Sequence, residues 1–415
     1  SNEDFNIDEI PLDDKKTFEL FSTGRMIGVF QLESRIAQIT SRSLKPTRFE
    51  EIVALVALIR PGPLGANMHI EFADRATGKK EIEFLHPDLK EILEETYGVI
   101  LYQEQVMQIA QKISAFQLDE ADDLRKAMGK KIPKVMEQQR KKFTDGAISN
   151  GYSEQFSIEL FDQIAFFAGY GFNKSHSVPY ALIAYQTAYL KANHPAEYLS
   201  ACLTAVKRDK DRTAIFLAEA RELGVNVKTP DINLSIEDFS VANGEILFGL
   251  SAIRNVGDIT AEKIVAERES GKYETVQDFL ARTDSRSLNK RGVEAMIQGG
   301  AFDHFGLPRR GLYESIIDLI EDAKGLKKEK DNSQASLFDF DEQTSELTTI
   351  KNVEWDKKEL LDREREMLGF FVSEDPLEGY GEIFRSESTH SIISCAVLSN
   401  CKKKRAMWFC ALPAI

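Results

Sequence analysis

The segment Gly169-Tyr-Gly-Phe-Asn-Lys-Ser-His-Ser-Val-Pro-Tyr180 gathers an ammonium, an imidazole, hydroxyls and an amide around the start of a helix. Two glycines allow a tight backbone path, Ser177 suits an N-cap, and Pro179 suits the first helical turn. The helix N-terminus then faces Asn173, Lys174, Ser175 and His176. Unsatisfied N–H groups, the positive end of the helix dipole and two basic side chains meet there, which is chemistry for holding a phosphate. Arg125, Lys126, Lys130 and Lys131 lie on and just after a second helix, expected over 119–128 and closed by Gly129. Arginine can fork two phosphate oxygens while lysine binds as a point charge. Two such cationic elements read as a clamp for a nucleoside triphosphate. It is not a Walker A loop, because no G-x-x-x-x-G-K-[ST] occurs in the chain.

A second pattern runs over 253–268. Ile253-Arg254-Asn255-Val256-Gly257 followed by an apolar-periodic stretch fits a helix-hairpin-helix, with Ala261 for close packing and Ile264 facing inward. Such a hairpin offers backbone N–H groups to one DNA phosphate and reads no bases. Asn255 stands at the first hairpin glycine position and is the best non-glycine residue for a left-handed backbone. A further helical pair over 288–301, with Gly299-Gly300, would complete a tandem. In the acidic stretch that follows, Gln334-Ala-Ser-Leu-Phe338 places two large apolar residues together, the composition of a docking peptide anchored by Leu337 and Phe338.

Metal-binding and hydrolytic chemistry are not indicated. Nucleotidyl transfer needs aspartates that hold a Mg²⁺ pair. The D-x-D pairs, Asp209/Asp211 and Asp339/Asp341, fall in a polar turn and in an acidic linker, not on a strand that would hold them rigid. His69, His86, His194, His304 and His390 are scattered without H-x-x-x-H, and no Ser/His/Asp or Cys/His arrangement stands out. The four cysteines, Cys202, Cys395, Cys401 and Cys410, form no C-x-x-C pair, so a reducing cytoplasm is the expected location.

The elements that must position these groups are mainly helical. The chain has 415 residues, 42% apolar and 29% charged, which fits two to four folded domains. Its formal charge is −14, yet 125–142 holds eight basic residues against Glu137 alone, and local charge is what steers a partner. By itself such a run reads as a solvated helix face. The longest clean apolar run, Ile52 to Ile59, is far below the roughly 18 residues of a membrane span. No secretory signal opens the sequence. Helices are expected over 34–43, 49–59, 103–115, 119–128, 153–168, 178–192 and 357–367, with a helical pair over 199–224, a short strand over 245–250 and a β start from Ile383. Residues 331–349 carry five acids and no Lys or Arg, which reads as a disordered linker. The absence of Met at position 1 and an end in an apolar stretch suggest a fragment.

Five ordered motifs carry a resemblance. Val29-Phe-Gln-Leu-Glu-Ser34, Ala57-Leu-Ile-Arg-Pro-Gly-Pro63, Tyr97-Gly-Val-Ile-Leu-Tyr-Gln-Glu-Gln-Val-Met107, Arg125-Lys-Ala-Met-Gly-Lys-Lys131 and Phe167-Ala-Gly-Tyr-Gly-Phe-Asn-Lys-Ser-His176 resemble the fingers region of the bacterial DNA polymerase III alpha subunits. The resemblance runs to about residue 375. It implies that Arg125, Lys126, Lys174 and His176 grip the triphosphate of an incoming dNTP, with Asn173 and Ser175 supporting the loop and Arg60 near the same cleft. Lys126 stands where many relatives carry arginine, so its contact would be one-pronged. The resemblance further implies duplex contacts from Lys130, Lys131, Arg254, Asn255, Val256, Gly257 and Lys263. Gln334, Ser336, Leu337 and Phe338 would be an internal motif for the sliding clamp (beta subunit).

The implied organisation is a fingers domain over 1–205, with a palm-to-fingers junction at 1–34, and a connecting segment with a tandem helix-hairpin-helix over 206–325. An acidic linker with the clamp motif over 326–350 and a truncated OB-like start over 351–415 would follow. That order resembles the replicative type with a C-terminal OB domain. Cys401-Lys-Lys-Lys-Arg405 could be a basic hairpin facing single-stranded template. The implied partners are primer-template DNA, dNTP, the sliding clamp, the clamp loader and other replisome subunits, and no membrane. The implied cofactor, Mg²⁺, would be held by palm aspartates that do not occur here, so the chain alone is expected not to extend primers. The alternative from another class is a stand-alone DNA-binding and clamp-tethering adaptor. A helix-hairpin-helix nuclease or glycosylase ranks last, for want of a catalytic aspartate on the hairpin domain.

Overall fold

The structure, a computed structural model, describes residues 5–130, 133–168, 171–283, 289–333 and 348–374. It divides into two compact units, 1–199 and 200–415.

The first unit is built on two apolar clusters. In one, α1 (Lys15–Thr23), α2 (Arg35–Leu44), α3 (Phe49–Leu58), α4 (Pro61–Gly65) and α5 (Met68–Ala76) follow in sequence. α3 reads Phe-Glu-Glu-Ile-Val-Ala-Leu-Val-Ala-Leu, apolar nearly all round, and a helix of that kind must be enclosed. Residues from Glu51 to Leu58 are all buried. Arg60-Pro61 ends that helix and starts the next, since proline is suited to a first helical position and restricts the residue before it. In the second cluster, α6 (Lys90–Leu93) precedes α7 (Gln103–Ser114), α8 (Leu118–Lys130), α9 (Pro133–Ser149) and α10 (Glu154–Ala168). Ile109, Ile113, Leu124, Phe143, Leu160 and Ile164 pack its centre. α9 crosses α7 so closely that a Cβ on Gly146 would lie 2.4 Å from the Ser114 carbonyl oxygen.

α11 (Lys174–Asn193) packs its inward stripe, Ala181, Ala184, Tyr185 and Ala188, into the first cluster, where α3 lies. Small residues on that stripe bring the backbones near, and the Ser177 hydroxyl donates to the Val53 carbonyl at 2.7 Å. This corrects the expected helix start. Ser177 is no cap, because it is turned into the core. Asn173 is the cap, accepting from the His176 N–H at 2.8 Å, and Pro179 falls in the second turn. The far half of α11 fastens the N-terminal segment. Buried Lys191 donates to the carbonyls of Arg25 and Ile27 at 2.8 and 2.7 Å, and the Tyr185 hydroxyl donates to the Pro11 carbonyl at 2.9 Å.

The basic run falls on two helices, α8 and α9, and Gly129 lies inside α8 rather than closing it. Its charge is also matched in part. Arg140 pairs with Asp162, Lys141 with Asp145 and Lys142 with Glu120, at 2.8, 2.6 and 2.6 Å. All three acids lie outside the 125–142 window, so a count confined to it overstates the field.

α12 (Pro195–Val206) spans the division, and the second unit continues with α13 (Lys210–Glu222). A small sheet follows, of β1 (Val227–Lys228), β2 (Ser240–Ala242) and β3 (Glu245–Leu247) in the order β1-β3-β2. β1 pairs parallel to β3, and β2 pairs antiparallel with Val241 opposite Ile246. The β2–β3 turn is Asn243-Gly244, both at positive φ (54° and 77°), the conformation that this dipeptide favours in hairpins. Then come α14 (Asp258–Arg268), α15 (Val276–Arg282), α16 (Lys290–Gln298), α17 (Arg309–Ser333) and α18 (Lys357–Leu368). Arg309 and Glu364 make a buried ion pair at 3.0 Å between α17 and α18. The clamp-type peptide at 334–338, Asp339/Asp341 and the β start from Ile383 lie outside the described residues, as does Lys131.

Candidate functional site

The groups singled out at the start of α11 and on α8 are brought together in the first unit. A parallel bridge between Tyr102 and Phe172 ties the loop before α11 to the start of α7. The Gln103 N–H donates to the Phe172 carbonyl at 2.9 Å, and Gln103 Nε2 donates to the Gly171 carbonyl at 3.1 Å. The other end of the same amide, Oε1, accepts from Arg125 at 3.3 Å. Gln103 therefore couples α8 to the loop that leads into Lys174. Arg125 and Lys126 both lean on Asp122, at 2.7 Å each. Those two cations hold the Asp122 carboxyl below the usual carboxylate range, Lys126 contributing first. They also stay partly exposed, so the pair is fixed in place but still open to an anion from solvent.

Arg60 lies on the same side. Its guanidinium stacks on the Phe172 ring at 3.5 Å, a cation–π contact. Burial against the ring lowers its pKa from the arginine value, though a guanidinium remains charged. Phe172, His176 and Tyr180 continue as a file of rings, with centroids 5.5 and then 4.5 Å apart. His176 and Ser175 are exposed. Lys174 is half-buried, and its ammonium reaches Glu95 at 2.6 Å. Of the residues expected in this site, Arg60, Arg125, Lys126, Asn173, Lys174, Ser175 and His176 sit on the connected elements just described. Lys130 ends α8, and Lys131 is outside the described residues.

Sequence reasoning missed Gln103, Glu95, Asp122 and Glu104, whose carboxylate accepts from the Lys174 N–H at 3.0 Å. Asp122 was within reach of it, since Asp122, Arg125 and Lys126 are at i, i+3 and i+4 on one helix. The other three meet the site only through the fold.

In the second unit the hairpin has the expected backbone. Asn255 adopts φ 66°, Gly257 caps α14, and Ala261 and Ile264 are fully buried. The limb before it is a 3-10 turn, Leu250–Ala252, not a regular helix. Asn255, Gly257, Arg254 and Lys263 are exposed, while Val256 is buried and serves as the apolar peg of the turn. Arg254 pairs with Glu366 at 3.0 Å. Asp258, at the start of α14, is matched by Lys207 and Arg208. Burial works to lower the Lys207 ammonium, but hydrogen bonds to Asp238 and Asp258 outweigh it and hold it above the usual lysine range. The second limb pair begins at Asn289, whose side chain caps α16 by accepting from the Gly292 N–H at 2.8 Å.

Among the described residues, Asp209 and Asp211 do not fit a Mg²⁺ pair. Asp209 is occupied as the N-cap of α13, accepting from the Arg212 N–H at 3.0 Å, and Asp211 lies in the first turn of that helix. Among the described residues, no group of three or more His, Cys, Asp or Glu is arranged to hold a metal ion. Among them, too, no helix is long and apolar enough to cross a membrane.

Comparison with known proteins matches both units. Residues 1–151 match the family model described as the bacterial DNA polymerase III alpha subunit finger domain, and residues 224–312 match a helix-hairpin-helix motif. The DNA polymerase III subunit alpha of Saccharopolyspora erythraea is 44% identical over 394 residues, covering 91% of this chain and 33% of the relative. That of Mycobacterium tuberculosis (strain H37Rv) is 42% identical, covering 92% and 33%. That of Escherichia coli is 42% identical, covering 90% and 33%. The chain thus spans about a third of the length of the curated relatives it matches.

Proposed function

Because this chain belongs to the family of bacterial DNA polymerase III alpha subunits, of which it spans about a third, we propose that it is the portion of a replicative polymerase that grips nucleotide and duplex. The parent would add deoxynucleotides to a primer 3′ end in the cytoplasm, with Mg²⁺ held by carboxylates elsewhere in it. The observation that carries the reading is the Arg125–Gln103–Gly171 connection, which fixes a cationic helix beside the cationic start of α11.

In this reading Arg125 and Lys126 on one side, and Lys174 and His176 on the other, bind and orient the triphosphate. Asn173 holds the helix start and Ser175 presents its hydroxyl there. Arg60, stacked on Phe172, borders the cleft. The chain's contribution is positioning and electrostatics in a site prepared before substrate arrives. Lys130, Lys131 and the hairpin residues Arg254, Asn255, Gly257 and Lys263 would meet the duplex backbone, with buried Val256 holding the turn in shape. Gln334, Ser336, Leu337 and Phe338 would dock on the sliding clamp, and the clamp loader and other replisome subunits would join through the parent.

The duplex part is tested by salt. Each phosphate contact contributes about 0.9 to the slope of log K against log salt. Replacing Arg254 and Lys263 together by alanine is expected to lower the slope for a primed duplex by about 2, uniformly across DNA sequences. Fluorescence anisotropy over a salt series measures it, and an unchanged slope would remove both residues from the interface.

A further inference from the structure

The two features that make the start of α11 attractive to phosphate are already met by carboxylates of the same unit. The Lys174 ammonium lies 2.6 Å from Glu95 Oε2. The Lys174 N–H, the first of the helix, donates to both oxygens of Glu104 at 3.0 Å. Glu95 is held where it is: its carbonyl accepts from Arg48 Nη2 at 3.0 Å, and the Arg48 guanidinium lies 5.2 Å from the Tyr97 ring centroid. Tyr102 stands in the same cluster, its ring 5.5 Å from the Lys174 ammonium. Its buried hydroxyl has no hydrogen-bond partner among the described residues. Burial, with Glu95 and Glu104 nearby, pushes that phenol far above the usual tyrosine value, so it adds no charge.

A polyphosphate arriving at Lys174 meets the Glu95 carboxylate there first. Two anions at one ammonium repel unless one withdraws. The Glu95 carboxylate is the one that can swing away, because its side chain is about a third exposed and meets Lys174 at the ammonium, whereas Glu104 caps the helix backbone. We propose that Glu95 is a positioning residue for nucleotide binding, a placeholder anion that keeps Lys174 extended toward the cleft and yields it to the incoming triphosphate. Binding is then an exchange of one anion for another, and the affinity measured is net of breaking the Glu95–Lys174 pair. The inference rests on the nucleotide reading given above.

The test uses the whole 415-residue chain and inorganic tripolyphosphate as probe, with affinity read by titration calorimetry at low salt. Half-exposed ion pairs are weak, so Glu95→Gln is expected to tighten tripolyphosphate binding by about two- to fivefold. Glu95→Ala, which removes the carboxylate differently, should do the same, and Lys174→Ala should weaken binding. Weakening by Lys174→Ala with no tightening by either Glu95 variant overturns the placeholder role and leaves the nucleotide reading intact. If the chain binds no tripolyphosphate, or Lys174→Ala changes nothing, both readings fall together.

Discussion

Replacing Glu364 with alanine is expected to destabilise the second unit by about 3–5 kcal/mol, the cost of breaking a buried ion pair from one side. Glu364 is fully buried, and each of its oxygens is used. Oε2 accepts from Arg309 Nη1 at 3.0 Å, and Oε1 accepts from the Val372 and Ser373 N–H groups at 2.8 Å each. Arg309 is 5% exposed and also bonds the Gln298 carbonyl, at the end of α16, at 3.1 Å. The alanine variant would strand two backbone donors and a guanidinium left with Asp303 as its remaining carboxylate partner. Urea denaturation measures the effect as a lower midpoint at constant slope. Glu359→Ala, which removes the exposed Glu359–Arg363 pair on the same helix, is the contrast, with an expected change below about 0.5 kcal/mol. A loss under about 1 kcal/mol for Glu364→Ala would mean that α18 is not fastened to the hairpin domain by this network.

The second large effect concerns the clamp. If Leu337 and Phe338 are the anchors of the docking peptide, substituting both with alanine should cost about 4 kcal/mol of affinity for a sliding clamp, some 2 for each buried apolar anchor. The peptide lies outside the described residues, but the chain on either side is tied down. α17 runs to Ser333, and the Thr348 N–H donates to Asp322 of that same helix at 2.9 Å. Surface plasmon resonance on immobilised clamp gives the answer, and unchanged affinity would take the peptide out of the account.

Much of the site was legible because it is local. The left-handed Asn255 in the hairpin, the buried Ala261 and Ile264, and the clustering of Asn173, Lys174, Ser175 and His176 follow from residue types at close spacing. The cap of α11 is not fixed by spacing alone. Asn173 and Ser177 are both good caps, and Ser177 loses that role to a hydrogen bond with Val53, 124 residues away in sequence. The charge of 125–142 was likewise misjudged, since Asp122 and Asp145 are helical neighbours just outside the run, and Glu120 and Asp162 are brought in by packing. Glu95 and Glu104 reach Lys174 only through the fold, and they change its role most. An ammonium read from sequence as open is in the structure paired with a carboxylate.

The claim that α8 and α11 hold a nucleotide is tested most directly at Lys174 itself. The whole chain, with primed DNA, would be treated with an amine-acylating reagent in the presence and absence of dATP, and labelling read by mass spectrometry. Lys79, exposed and outside the site, serves as the internal reference. Saturating dATP is expected to lower labelling of Lys174 several-fold and to leave Lys79 unchanged. Equal labelling of Lys174 with and without dATP would contradict the claim.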